Sequence, residues 1–439
     1  MTAPSPGPWW AHPGLTLGDG RLQIAGRDAE EVARTSGTPL YAYDVMRIAE
    51  QIESLLGAAG NSRLATRVRV AMKAQHEPEI LEYVRRRFCP DGDRGVGIDV
   101  SSPGEVMRAL ACGWSPELIS YTGTNVSERD LDIILSHAIH INLDGISQLH
   151  RVGRRAPGRR VGVRLNPCVG AAHGMGDVSL YCGPTPTKFG IYPERLPEAV
   201  KVANEYGLSI VTLHAHVARM VLDEDLESYA RVLSSLADCA RILQDLGCPL
   251  EEVNVGGGLG VPTIDGEKPL DLVRVVGLWE EHLGPLGVHV GSENGEFFSR
   301  ESGILLAEVV TVEDRDGALF VGVDAGWNVF NLRFIFGQQH PVVLCRDVLG
   351  ASTRHVTVAG NINQGPDLFA EDWPLPEVAE GDILAVLGAG AYAQAASLDT
   401  HCLRPHARAV FFDDRLSDED PSEMRHGSPA KQGSVRGPE

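Results

Sequence analysis

Residues 67–74 read RVRVAMKA, a β-type run whose apolar stretch VRVAM leads directly into Lys73. Outward from it lie seven more short β-type runs: VGIDV (96–100), LISYTG (118–123), AIHINLD (138–144), VGVRLNP (161–167), SIVTLHAH (209–216), EVNVGGG (252–258) and VHVGSEN (288–294). The intervals carry helical patterns such as PEILEYVRRRF, PGEVMRALACG and LESYARVLSSLADCARILQDLG, in which apolar residues recur at spacings of three and four. Strands alternating with helices argue for a parallel sheet flanked by helices, and a count of eight predicts a TIM-like (β/α)8 barrel over residues 45–299.

A parallel barrel puts its chemistry at the C-terminal ends of its strands. Polar or glycine-rich positions stand there in register: Lys73, Asp99, Thr122, Asp144, Arg164, His214, His216, Gly256 to Gly258 and Glu293. Taken singly, each also suits a structural residue satisfied by local hydrogen bonds. Eight strand ends of one character point to a single site.

After residue 300 the texture changes to strand-like runs with tight turns, which predicts a C-terminal all-β domain over 300–416. RLQIAG (21–26) and TPLYAYD (38–44), within the N-terminal segment 1–44, are expected to add strands to that domain. The stretch 417–439, rich in Ser, Gly, Pro, Glu and Asp, is expected to be disordered.

Composition narrows the class of function. A chain of 439 residues, 43% hydrophobic, buries an enzyme-sized core. A formal net charge of −20 with no basic run disfavours nucleic acid and anionic membranes and leaves a small molecule as the expected partner. No stretch of 18 apolar residues occurs, and the N-terminus MTAPSPGPWWAHPG has neither a positive leader nor an apolar core, so the cytoplasm is the expected compartment. Eight cysteines without C-x-x-C spacing fit reduced thiols better than disulfides or structural zinc.

Among the strand-end residues, a lysine buried in a barrel mouth has a lowered pKa and can form a Schiff base, although a lysine snorkelling out of the mouth is the commoner arrangement. GGGLG (256–260) offers backbone N–H groups to a phosphate with no Cβ in the way, at the loop after strand seven where barrels often bind phosphate. His214 and His216, two apart on a strand, share a face. Such a pair suits either zinc, which requires further ligands at other strand ends, or an imidazole lying flat on an aromatic cofactor. Glu293 suits a carboxylate that keeps a pyridine nitrogen protonated, or a solvated strand end.

Taken together, VAMKAQ (70–75), GIDVSSPGEV (97–106), RLNP (164–167), TKFGI (187–191), HAHV (214–217), GGGLG, VDAG (323–326) and GAY (390–392) resemble the fold-type III pyridoxal-phosphate decarboxylases, the group of diaminopimelate, ornithine and arginine decarboxylases. The resemblance spans about Thr38 to Val410. It implies pyridoxal 5'-phosphate as cofactor, an internal aldimine on Lys73, His216 stacked on the ring, Glu293 beside the pyridine nitrogen, and phosphate held by Gly256, Gly257, Gly258 and Tyr392. It implies a homodimer as well, with Asp324 and the loop 360–367 reaching into the partner's site.

Three departures mark the chain as atypical. Where the family has Glu-Pro-Gly-Arg, the chain has Glu293-Asn294-Gly295-Glu296, so an arginine that contacts the phosphate has become an acid. Where the family has His-x-Gly-Ser, it has His216-Val217-Ala218-Arg219, and Arg219 is the expected replacement, pairing with the phosphate, with Glu296 or with both. Where the family carries a catalytic cysteine and an acid, it has Asn363 and Gln364. Asn363 cannot donate the proton attributed to that cysteine, and Gln364 removes a carboxylate that would recognise a distal ammonium, which leaves Asp324 and Asp367 as candidates for an amine contact. The leading expectation is decarboxylation of an amino acid or amino-acid conjugate, through a quinonoid, in a specialised biosynthetic pathway. An epimerase or other lyase, and a non-catalytic homologue, are the alternatives, and no metal is expected.

Overall fold

The computed structural model describes residues 8–90, 95–174, 181–183, 185–352, 354–398 and 400–415. Eight strands close into a parallel barrel: β1 (Thr66–Ala71), β2 (Gly97–Val100), β3 (Ile119–Gly123), β4 (His140–Leu143), β5 (Arg160–Leu165), β6 (Ser209–Ala215), β7 (Glu252–Asn254) and β8 (His289–Asn294). Closure is made where β8 pairs in parallel with β1, Asn294 opposite Val70. Three of the helices between strands, Pro103–Ala111, Glu128–Leu135 and Leu272–Leu283, begin at a side-chain cap. The Ser102 side chain accepts from Glu105 N–H ahead of Pro103–Ala111, with proline in the first turn where its missing N–H costs nothing. The long helix Leu226–Asp245 buries Leu233, Leu236, Ala240 and Leu243 along one stripe.

The barrel interior is unusually polar. Arg69 donates to Glu252 at 2.6 and 3.0 Å, and Arg67 reaches the same carboxylate at 2.8 Å. Above this pair lie the buried side chains of Ser120, Asn142, Asn254, His214, Asp99 and Glu293. Burying such groups is costly unless they are hydrogen-bonded, and the bonds that link Ser120, Asn142, His214, Asn254 and Glu293 fix the geometry of the barrel mouth, although Asp99 Oδ1 and His214 Nδ1 have no partner.

The β domain is built on the long strand β9 (Gly303–Arg315), which continues antiparallel into β10 (Ala318–Val323). Beyond these come β11 (Val342–Leu344), β12 (Arg354–Ala359), β13 (Leu368–Leu375), β14 (Ile383–Val386) and β15 (Arg408–Phe412). Leu40–Asp44 pairs with both β9 and β15, so TPLYAYD is a strand of this sheet. RLQIAG is not. Arg21–Ile24 forms a separate three-stranded sheet with Leu15–Gly18 and Arg27–Asp28, because Asp19 and Gly20 both take positive φ and fold the chain into a hairpin. Leu22 and Ile24 still pack into one apolar cluster with Leu40, Ile304 and Leu306. A short helix, Leu332–Phe336, interrupts the strands of the domain. The tail 417–439 lies outside the described residues, among which no helix is long and apolar enough to cross a membrane.

Candidate active site

Strand β1 ends at Ala71, where Met72 N–H donates to Asp99 O and Ala74 N–H to Ala71 O. That turn delivers Lys73 into a cavity of about 350 Å³ at the C-terminal mouth of the barrel, lined also by Arg164, His216, Arg219, Glu293 and Tyr392. The volume is that of a small-ligand site.

Glu293 is the most elaborately held group in the cavity. Its Oε2 lies 3.0 Å from His214 Nε2, and its Oε1 accepts from Asn254 Nδ2 at 2.6 Å and from Ser120 Oγ at 3.4 Å. Burial by itself would raise the pKa of Glu293, but His214, Arg69 and the Asn254 hydrogen bond outweigh it and hold the carboxyl ionised, well below the usual range. Asp99 behaves oppositely. It is buried, its Oδ1 has no hydrogen-bond partner, and burial together with the Glu293 charge pushes its pKa well up. Arg164 lies 3.4 Å from Asp144 and over the ring of Phe189 at 4.3 Å.

His216 lines the cavity with Tyr181 edge-on at 5.2 Å. Burial, and then the charges of Lys73 and Arg164, push its pKa well down and keep the imidazole neutral. The glycines are required by close approach. A Cβ on Gly257 would sit 2.2 Å from Glu293 O, and one on Gly258, at φ +98°, would sit 2.2 Å from Ala218 O. Tyr392, itself at φ 59°, closes this end, with its N–H donating to Ala74 O at 2.7 Å.

These residues fit pyridoxal phosphate. A lysine can carry the aldehyde, an ionised buried carboxylate suits a protonated pyridine nitrogen, a neutral imidazole can lie on the ring, and bare backbone at Gly257 and Gly258 with Tyr392 can take the phosphate. Gly256 is placed differently from the expectation. It turns the chain at φ 72°, and its N–H is committed to Asn254 Oδ1 at 2.9 Å, so it orders the loop without lining the cavity.

The two charge departures also resolve geometrically. Glu296 lines the cavity but pairs with buried Arg300 at 2.6 Å, four residues on in the chain, and not with Arg219. Arg219 makes no ion pair among the described residues; its guanidinium lies 5.8 Å from the Phe336 ring centroid. The remaining expected site residues stand apart from the cavity of their own chain. Asp324 accepts from the Thr38 hydroxyl at 2.6 Å and from Glu308 N–H at 2.9 Å. Asp367 accepts from Trp327 N–H at 2.8 Å and Ile362 N–H at 2.7 Å, so both carboxylates are used within the β domain, while Asn363 and Gln364 are exposed.

Sequence reasoning missed Asn254, Ser120, Tyr181 and Phe336. Asn254 had a signal, since it lies two residues before Gly256 on the inward-facing alternation of β7. Phe336 had none, because it comes from the β domain and meets the barrel only in three dimensions.

Residues 46–300 match the family model described as pyridoxal-dependent decarboxylase, pyridoxal binding domain. The chain is 35% identical over 390 residues to diaminopimelate decarboxylase of Methanothermobacter thermautotrophicus, covering 87% of this chain and 88% of the relative. It is 30% identical over 398 residues to the Escherichia coli K12 enzyme of the same name, covering 86% and 89%. The fold matches the crystal structure of Helicobacter pylori diaminopimelate decarboxylase complexed with L-lysine, with a TM-score of 0.78 at 25% identity over 87% of this chain and 93% of that one. With the cavity geometry these likenesses lead to one conclusion: the chain belongs to the pyridoxal-dependent decarboxylases and is an amino-acid decarboxylase that uses pyridoxal phosphate.

Proposed function

We propose that this enzyme decarboxylates an amino acid or amino-acid conjugate whose distal end differs from that of diaminopimelate, as a step in a specialised biosynthetic pathway. When bound, pyridoxal phosphate supplies the electron sink that lets Cα lose its carboxylate as carbon dioxide. Lys73 is the residue that would carry it, Glu293 would hold a proton on the pyridine nitrogen, and His216 would cover the ring.

The observation that carries the reading is the inventory of cations. Lys73 is reserved for the cofactor, Arg164 lies against Asp144, and Arg300 is spent on Glu296. That leaves Arg219 for the cofactor phosphate and, among the described residues that line the cavity, no second guanidinium for a distal carboxylate. With Gln364 in place of an acid, a distal ammonium loses its counter-charge as well. Both charged features of the diaminopimelate terminus are thereby unprovided for.

The active form is read as a homodimer in which Asn363 and Gln364 approach the partner's cavity. The exposed apolar side chains of Phe334, Ile335 and Leu403 on the β domain support this. A cytoplasmic, reducing compartment is supported by eight cysteines that are all unpaired. The test is carbon dioxide release from the cofactor-loaded enzyme with a panel of amino acids of both configurations, reading solvent deuterium at Cα in parallel. Release that is faster with a neutral distal end supports the reading. Diaminopimelate as the best substrate overturns it, and deuterium without release overturns decarboxylation.

A further inference from the structure

His173 lies on the loop that follows β5, outside the chemistry described so far. Its Nδ1 is 2.8 Å from Asp225 Oδ2, on the loop after β6, and its Nε2 is 2.9 Å from Glu267 Oε1, on the loop after β7. Glu224 Oε1 stands 3.6 Å from Nδ1, so among the described residues the charged groups paired with the ring are all carboxylates. A neutral imidazole has one donor and one lone pair and would turn the lone pair on a carboxylate oxygen; only the doubly protonated ring satisfies both contacts.

Each carboxylate is anchored to its own loop. Glu267 Oε2 accepts from Thr263 N–H at 2.5 Å and Ile264 N–H at 3.2 Å, and Asp225 Oδ2 accepts from Leu222 N–H at 2.9 Å. One imidazolium thus ties three strand-end loops together. The tie reaches the cavity through the main chain, because Ala171–Ala172 pairs in parallel with Ala218–Arg219 and His173 N–H donates to Arg219 O at 3.1 Å.

We propose that His173 is a positioning residue whose clasp on Asp225 and Glu267 holds the Arg219 backbone in register, so that the Arg219 guanidinium meets the cofactor phosphate only while the clasp is closed. The inference rests on the assignment of Arg219 to the phosphate. Burial disfavours the charged ring, but Asp225 and Glu267 outweigh it and raise the pKa of His173. The clasp is therefore complete below the ordinary imidazole range and is lost as pH rises through the raised value.

The experiment measures the Kd of the full-length protein for pyridoxal phosphate from neutral to alkaline pH. The proteins compared are wild type, His173→Ala, Arg219→Ala, their double variant, and Asp225→Asn with Glu267→Gln, which keeps acceptor atoms while removing both charges. Near neutrality His173→Ala is expected to weaken binding about tenfold, and the double variant to bind no worse than Arg219→Ala alone, the mark of two residues acting through one contact. The amide variant is expected to move the alkaline loss of affinity to lower pH, a readout that also serves if His173→Ala fails to fold. Additive effects of His173→Ala and Arg219→Ala, or an unchanged pH dependence in the amide variant, overturn the clasp. An unchanged Kd in Arg219→Ala overturns instead the phosphate assignment beneath it.

Discussion

Replacing Glu252 by Gln tests whether the polar floor of the barrel holds the site. Glu252 is 1% exposed and takes hydrogen bonds from Arg69 at 2.6 and 3.0 Å and from Arg67 at 2.8 Å. Burial would raise its pKa, yet Arg69 and then Arg67 lower it from 4.5 to about 2, a difference worth ~3 kcal/mol at 1.36 kcal/mol per pH unit. Because the folded pKa is depressed, that stability is fully present above the ordinary carboxylate range and is lost as pH falls toward 2. In the variant buried Arg69 loses the carboxylate to which it is hydrogen-bonded, and breaking a buried pair in this way costs roughly 3–5 kcal/mol. With an unfolding entropy of roughly 2.1 cal/mol/K per residue, a 3 kcal/mol loss lowers the Tm of a barrel of this length by about 6 °C. Thermal unfolding at neutral pH measures it, and the gap from wild type is expected to narrow as pH is lowered. Replacing Arg69 and Glu252 together by Met should recover part of the loss, since the desolvation of both charges disappears with them. A Glu252→Gln protein that melts within about 1 °C of wild type would refute the reasoning.

Glu293→Gln keeps an acceptor for Asn254 but loses the charge; kcat per bound cofactor, read as carbon dioxide release, is expected to fall by ~10²–10³, as for removal of one preorganised electrostatic contact. Gly258→Ala drives a Cβ to 2.2 Å from Ala218 O at a positive φ, so the visible band of lysine-bound cofactor should be weakened or lost while far-ultraviolet circular dichroism stays near wild type. Asp99→Asn replaces a buried carboxyl whose Oδ1 has no hydrogen-bond partner and whose charged form is disfavoured by burial and by the Glu293 charge, and its Tm at neutral pH is expected to stay within about 2 °C of wild type; a larger drop would refute this.

The barrel was legible because each strand ends in a change of texture. RVRVAMKA, VGIDV and SIVTLHAH fall within three residues of β1, β2 and β6, and Lys73, His216 and Glu293 converge on one cavity as strand-end positions should. Charge partners were not legible. Glu296 and Arg219 are 77 positions apart and suggested a compensating pair, but Arg300, one helical turn beyond Glu296, is the nearer and better-buried cation. Gly256 was indistinguishable from its neighbours by residue type; only its backbone bond to Asn254 sets it apart. The same holds for RLQIAG, whose alternation marks a strand without saying which sheet receives it.

The central claim is that Lys73 carries the cofactor at the mouth of the barrel. Reducing the pyridoxal-phosphate-loaded protein with borohydride and mapping its peptides by mass spectrometry tests this directly. The account predicts a phosphopyridoxyl group on the peptide containing Lys73 and on no other lysine, in near-stoichiometric yield. Label found on Lys188, Lys201 or Lys268, or no stable label at all, would contradict it.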